Sequence, residues 1–168
     1  VDGLPIVREP LVIRVNAGEV LEIDLTNKLN QRASISASEL LFDPKGSYGP
    51  AIGNNPDSST LPGETRTYRF FADRELGSSY FLNLANVYSL GDGAFGGIVV
   101  EPADSVHLDP YTGEEITHGL AANIIAPSGN FREFVTLYHD VDRVIGQSRM
   151  PYPRDVTGFT GINYAAEN

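Results

Sequence analysis

The chain has 168 residues, a length that suits one compact domain or one domain with a piece of another, and a domain of that size buries a core without help from metal or disulfides. Hydrophobic residues at 41% exclude a disordered chain, and 22 Asp and Glu against 12 Lys and Arg give a net charge of −10 that repels nucleic-acid phosphates and anionic lipid. The absence of cysteine excludes disulfides, zinc–thiolate sites and cysteine nucleophiles.

Strand signals recur along the chain and helix signals are weak. In LVIRV, Leu11, Ile13 and Val15 share a face, and Ala17-Gly18 turns the chain. EVLEIDLTN alternates cleanly, with Leu21, Ile23 and Leu25 opposite Glu22, Asp24 and Thr26, which reads as a half-buried strand. In RASISAS, Ala33, Ile35 and Ala37 share one face and Ser34, Ser36 and Ser38 the other. Residues 43–64, rich in Gly, Pro and Asn, read as a long loop. Pro62-Gly63 then introduces the strand TRTYRFFAD, followed by SSYFLNL and by the short buried strand GGIVVEP, ended at Pro102. Residues 103–130 read as an irregular excursion and REFVTLYHD as a last strand. After Asp140 periodicity fades, and the tail reads as an extended connector. About seven short strands separated by turn chemistry indicate an antiparallel sandwich or barrel. No apolar run approaches the ~20 residues of a membrane helix. The chain begins at Val1 without a basic-then-apolar leader, so a mature form or an excised piece is expected.

The other candidate chemistry reads as structural. His107, His118 and His139 are the only histidines, and no spacing unites them as metal ligands. Gly91, Gly93, Gly96 and Gly97 superficially resemble a nucleotide loop, but no helix signal follows, so a turn between strands is expected. Asp104, Asp109, Glu114 and Glu115 offer oxygens of the kind calcium takes, at spacing that does not match an EF-hand, so a solvated loop is expected. Tyr152, Phe159 and Tyr164 lie in a tail with no evident core and suggest contact with another domain or subunit.

Four phrases in order resemble the multicopper oxidase family over roughly residues 8–168, most of all its ceruloplasmin-like and manganese-oxidising-type bacterial members: LEIDLTNKL, STLPGETRTYRFFADRELGSSYF, GAFGGIVVEP and REFVTLYHDVD. The resemblance implies an all-β, Greek-key β-sandwich of the cupredoxin type. It implies a cupredoxin-like domain over residues 1–130, with residues 131–168 a linker or the opening strand of a second such domain. Family members carry two His-x-His pairs, because residues i and i+2 of a strand point to the same side and two imidazoles can reach adjacent coppers. By resemblance the pairs fall at Ser36 and Ser38 and at Leu82 and Leu84, and none of the four is histidine. A blue-copper centre is also excluded, since it needs a cysteine thiolate.

The expected reading is therefore a cupredoxin-like domain with its own copper-ligand positions substituted. It has no catalytic, cofactor or metal residues of its own, and copper is implied only for the family. Oxidoreductase activity would belong to an assembly with copper-bearing domains or subunits, and this chain alone is expected to be inactive. The alternative is a copper-free interaction module unconnected to oxidation. A weaker third reading is a binding domain for a sugar or other small ligand, motivated by a polar pocket at Ser36, Ser38 and Asn83 and opposed by a pocket plugged with Leu82 and Leu84. The resemblance also implies an extracytoplasmic or secreted location, partner cupredoxin domains or subunits, and a homo-oligomer, with no nucleic-acid or membrane partner.

Overall fold

The structure, a computed structural model, describes residues 10–86, 89, 94–142 and 158–162, with only the backbone placed in the last two strands. Among the described residues there is no α-helix. In chain order the strands are β1 (Val12–Asn16), β2 (Val20–Thr26), β3 (Ser36–Ala37), β4 (Leu41–Phe42), β5 (Thr65–Phe71), β6 (Gly77–Leu82), β7 (Phe95–Glu101), β8 (Val106–Leu108), β9 (Ala121–Ala126), β10 (Gly129–Phe134), β11 (Tyr138–Asp142) and β12 (Gly158–Ile162).

The first seven strands build a two-sheet sandwich. One sheet has the order β1-β7-β6-β3 and the other β2-β5-β4, so the chain passes repeatedly from sheet to sheet. The β1–β7 pairing is parallel, whereas β7–β6, β6–β3 and both pairings of the second sheet are antiparallel. The strand period of two decides the core. Ile13 and Val15 of β1, Ile98 and Val100 of β7, Ala37 of β3 and Phe81 of β6 face inward. They meet Leu21, Ile23 and Leu25 of β2 and Tyr68 and Phe70 of β5. Tyr68 and Phe70 are almost wholly buried. The Tyr68 hydroxyl is satisfied by donating to the Ser58 carbonyl at 2.8 Å and bonding the Thr60 hydroxyl at 3.0 Å, which ties the long 43–64 loop to the core. The chain is the expected all-β, Greek-key sandwich.

The turn before β5 follows its sequence chemistry. Glu64 N–H donates to the Leu61 carbonyl at 3.0 Å, and Gly63 takes a φ of 82°, as the third position of a turn with proline second requires. RASISAS departs from expectation. Only Ser36–Ala37 pairs as a strand, with Ala33 bridged singly to Thr60. The reason is local: Ser34 N–H donates to Asn83 Oδ1 at 2.9 Å, and Ala85 N–H donates to Ser34 Oγ at 3.1 Å, so side chains replace the ladder.

Residues 103–130 are a correction to the irregular excursion. They hold a third sheet in the order β10-β9-β8, with β9 and β10 joined at Pro127-Ser128. REFVTLYHD is likewise split, because Val135 leaves the ladder to donate its N–H to the Leu120 carbonyl at 2.7 Å. The tail read as a connector contributes β12, which pairs antiparallel with β11. Of the tail aromatics, Tyr152 and Tyr164 lie outside the described residues, and for Phe159 only the backbone of its strand is described. Strand β10 runs across residue 130.

The third sheet covers part of the sandwich. Val12 of β1 and Val99 of β7 point to the outer face of the four-stranded sheet, where Leu120, Val135 and Leu137 pack over them. Arg14 and Glu101 share that face and are buried beneath the same cover. On the far side of β7 the outer face carries Tyr80, which is 51% exposed, beside Gly97. One half of the face is therefore closed by the chain itself, and among the described residues the other half is open.

Candidate functional site

The open half holds the four positions singled out in the sequence. Ser36 lies directly opposite Leu82 in the β3–β6 register. Ser38 continues the pairing, its N–H donating to the Tyr80 carbonyl at 2.9 Å. Because i and i+2 share a side, Ser36 and Ser38 meet Tyr80, Leu82 and Leu84 on one surface. They line a cavity of about 370 Å³ together with Phe42, Tyr48 and Glu39. Both leucines are among its lining residues.

Its polar chemistry is weak in donors to a metal. Ser36 Oγ donates to the Tyr48 carbonyl. Leu82 and Leu84 offer only carbon. Asn83, between the leucines in sequence, points away: its Oδ1 accepts from Ser34 N–H at 2.9 Å and its Nδ2 donates to Ser89 Oγ at 3.0 Å. It contributes nothing to the cavity, which corrects the expectation of an amide beside Ser36 and Ser38.

The histidines lie elsewhere. His107 is buried on β8, its Nε2 2.9 Å from Asn16 Oδ1. Burial first and the Arg14 guanidinium second hold its pKa below the usual histidine value, so the ring is neutral at pH 7. His118 is exposed beside β1, where its backbone bridges Ile13. The side chains of His139 and Asp140, and residues Gly91 and Gly93, lie outside the described residues, while Gly96 and Gly97 belong to β7. No cluster of three or more metal-ligating side chains occurs among the described residues. In the acidic segment, the Asp109 carboxylate accepts from Tyr111 N–H and Thr112 N–H, each at 2.8 Å. These bonds, Thr112 foremost, lower its pKa and make it the pivot of a local turn.

A buried charge cluster was missed at the sequence level. The Arg14 guanidinium lies 2.5 Å from Glu133 of β10 and 3.3 Å from Glu101 of β7, and its Nε donates to the Gly119 carbonyl at 3.2 Å. The Arg14 side chain is fully buried, and its second terminal nitrogen has no hydrogen-bond partner among the described residues. The Glu101 carboxyl is pushed up to about 7 by burial and then by the neighbouring Glu133 carboxylate, with Arg14 only partly offsetting both. A usable signal was present: Arg14 and Glu101 each sit in strands apolar on both faces, Val12-Ile13-Val15 and Ile98-Val99-Val100.

The sequence model of the family described as "Multicopper oxidase" matches residues 10–105, the stretch that holds the whole sandwich. L-ascorbate oxidase of Cucumis sativus is 27% identical over 104 residues, covering 62% of this chain and 17% of the relative, so the chain spans about a sixth of that protein's length. Among solved structures, a multi-copper oxidase from Pseudomonas thermotolerans superimposes with a TM-score of 0.49 at 21% identity, over 58% of this chain and 23% of that one. A laccase from Pediococcus acidilactici superimposes with a TM-score of 0.46 at 14% identity, over 55% and 20%. With the family sequence model matching more than half of it, the chain belongs to the multicopper oxidase family.

Proposed function

We propose that this is a cupredoxin-like domain that holds no copper of its own and serves as a structural or interface domain beside copper-bearing domains or subunits. The observation that supports this reading is the donor set of the open sheet face. Copper of this family asks for imidazole or thiolate. The face offers two leucines, a serine hydroxyl engaged with a backbone carbonyl, and a second serine. These residues do not fit copper, and no redox step runs through them. Oxidoreductase activity belongs to the larger assembly, which is extracytoplasmic or secreted.

Copper loading of the purified chain, followed by dialysis, metal analysis and an absorption spectrum, tests the reading. The expected result is substoichiometric copper with no visible copper bands. Stoichiometric copper that survives dialysis overturns it.

The partner is a further cupredoxin domain or a second copy of this chain. Exposed apolar surface supports this. Val20, Phe71 and Leu41 lie side by side in register across the outer face of the β2-β5-β4 sheet, at 53%, 40% and 53% exposure. Light scattering is expected to give a molar mass that is a multiple of 18.2 kDa. A monomeric mass at all concentrations tried removes the homo-oligomer.

A further inference from the structure

The open cavity is lined by both apolar and hydrogen-bonding residues. Leu82, Leu84 and the rings of Tyr80 and Phe42 give its lining apolar surface, and Tyr48 stacks on Phe42 at a centroid distance of 5.9 Å. The same lining carries hydrogen-bonding groups. Ser38 Oγ and the hydroxyls of Tyr48 and Tyr80 have no partner among the described residues, although all three residues line the cavity. Each can both donate and accept. Glu39, also in the lining, adds a carboxylate. Its backbone is held at a φ of 67°, a left-handed conformation uncommon for a non-glycine residue, of the kind that clusters at binding sites.

The lining holds no Lys, Arg or His, so nothing there neutralises an anion, and the chain's charge of −10 repels one. The volume of about 370 Å³ sits at the small end of ligand pockets, which run from about 300 to 1,000 Å³. A ligand matching this surface is small and neutral. It has one apolar C–H face for the leucines and aromatic rings, and several hydroxyls at its edge for the serine, the tyrosines and the carboxylate.

We propose that the cavity at Ser38, Glu39, Tyr48 and Tyr80 binds a neutral carbohydrate, one or two pyranose rings long. The site rests on the reading that this face carries no copper.

Amide chemical shifts of the full chain, freed of metal with chelator, are followed while methyl β-D-glucopyranoside, cellobiose, chitobiose or choline chloride is added. Saturable shifts confined to residues 36–39, 48 and 80–84 are expected with at least one sugar, with a Kd on the order of 1 mM for so few ligand atoms. Tyr80→Ala, at a half-exposed position that leaves the fold intact, is expected to raise that Kd by about tenfold or more. Ser38→Ala weakens it a few-fold, and Tyr111→Ala, in the exposed 109–113 turn, leaves it unchanged. The proposal is overturned by unsaturable shifts with every sugar, by sugar binding that survives Tyr80→Ala, or by saturation with choline alone. Metal analysis of the same protein reports separately on the copper-free reading. Copper on this face would sink both ideas, whereas a metal-free protein that ignores sugars sinks only this one.

Discussion

Arg14→Ala lowers the unfolding free energy by about 3–5 kcal/mol near neutral pH, the largest effect expected of any single side chain outside the main core. The guanidinium is the sole cation in a cluster with buried Glu101 and half-buried Glu133, so its removal leaves the two carboxyls facing each other. It also strips the Gly119 carbonyl of its side-chain donor. Urea titration monitored by far-ultraviolet circular dichroism measures the loss. A change within about 0.5 kcal/mol would show that the cluster is not a structural tie between the sandwich and the third sheet. Arg14→Ala with Glu101→Gln is expected to be less destabilised than the two single effects sum to, because the second change relieves the repulsion that the first exposes.

The same cluster gives stability a pH dependence of defined sign. The Glu101 pKa is pushed up to about 7 in the folded chain, above its usual value of 4.5. The folded state therefore holds this proton more tightly than the unfolded state does. Its contribution is fully present below the unfolded value and is lost as pH rises through about 7. Between about pH 5 and about pH 8 the protein is expected to lose on the order of 2 kcal/mol on this account, and Glu101→Gln is expected to flatten that part of the curve. Unfolding curves at the two pH values decide it; a slope unchanged by Glu101→Gln assigns the titration to another group. Charged groups that surround the carboxyl are Glu133 on β10, Arg14 on β1 and Glu75 ahead of β6.

The second large effect is steric. Gly96→Ala is expected to destabilise the chain by about 3 kcal/mol, or roughly 10 °C in Tm. Gly96 sits where β7 runs between β1 and β6, and a Cβ there would lie 2.3 Å from the Leu11 carbonyl oxygen and 2.3 Å from the Phe81 ring. The ring could turn aside. The carbonyl oxygen cannot, because it accepts from Gly97 N–H at 2.9 Å as part of the parallel β1–β7 pairing. A calorimetric scan measures the shift. If Gly96→Ala keeps the wild-type Tm, β1 and β7 are not packed at this distance. Gly97→Ala is the contrast, since its Cβ would meet Val12 Cγ2 at 3.3 Å, a tight contact with a side chain that can give by a few tenths of an ångström.

The sandwich strands were legible because alternation is a local property. VLEIDLT shows its buried face through Leu21, Ile23 and Leu25 whatever lies opposite, and Pro62-Gly63 specifies its turn through φ alone. The third sheet was not legible. His107, Asn123 and Glu133 interrupt its strands with polar side chains, and Leu120, Val135 and Leu137, which flank β9 and β10, pack on Val12 and Val99. That partner surface is created only once β1 and β7 have paired.

Sequence by itself determined the all-β class, the sandwich strands in chain order except β4, and the presence of serine and leucine at positions 36, 38, 82 and 84. Only the tertiary structure decided where those four side chains go. Registry across β3 and β6 brings Ser36 opposite Leu82, and strand parity turns Asn83 the other way. Tertiary packing also decided that Arg14, Glu101 and Glu133 meet, although up to 119 residues separate them along the chain. The physical reason is the same in each case: alternation encodes which face a side chain takes, whereas the neighbour it meets on that face is set by strands far apart in the chain.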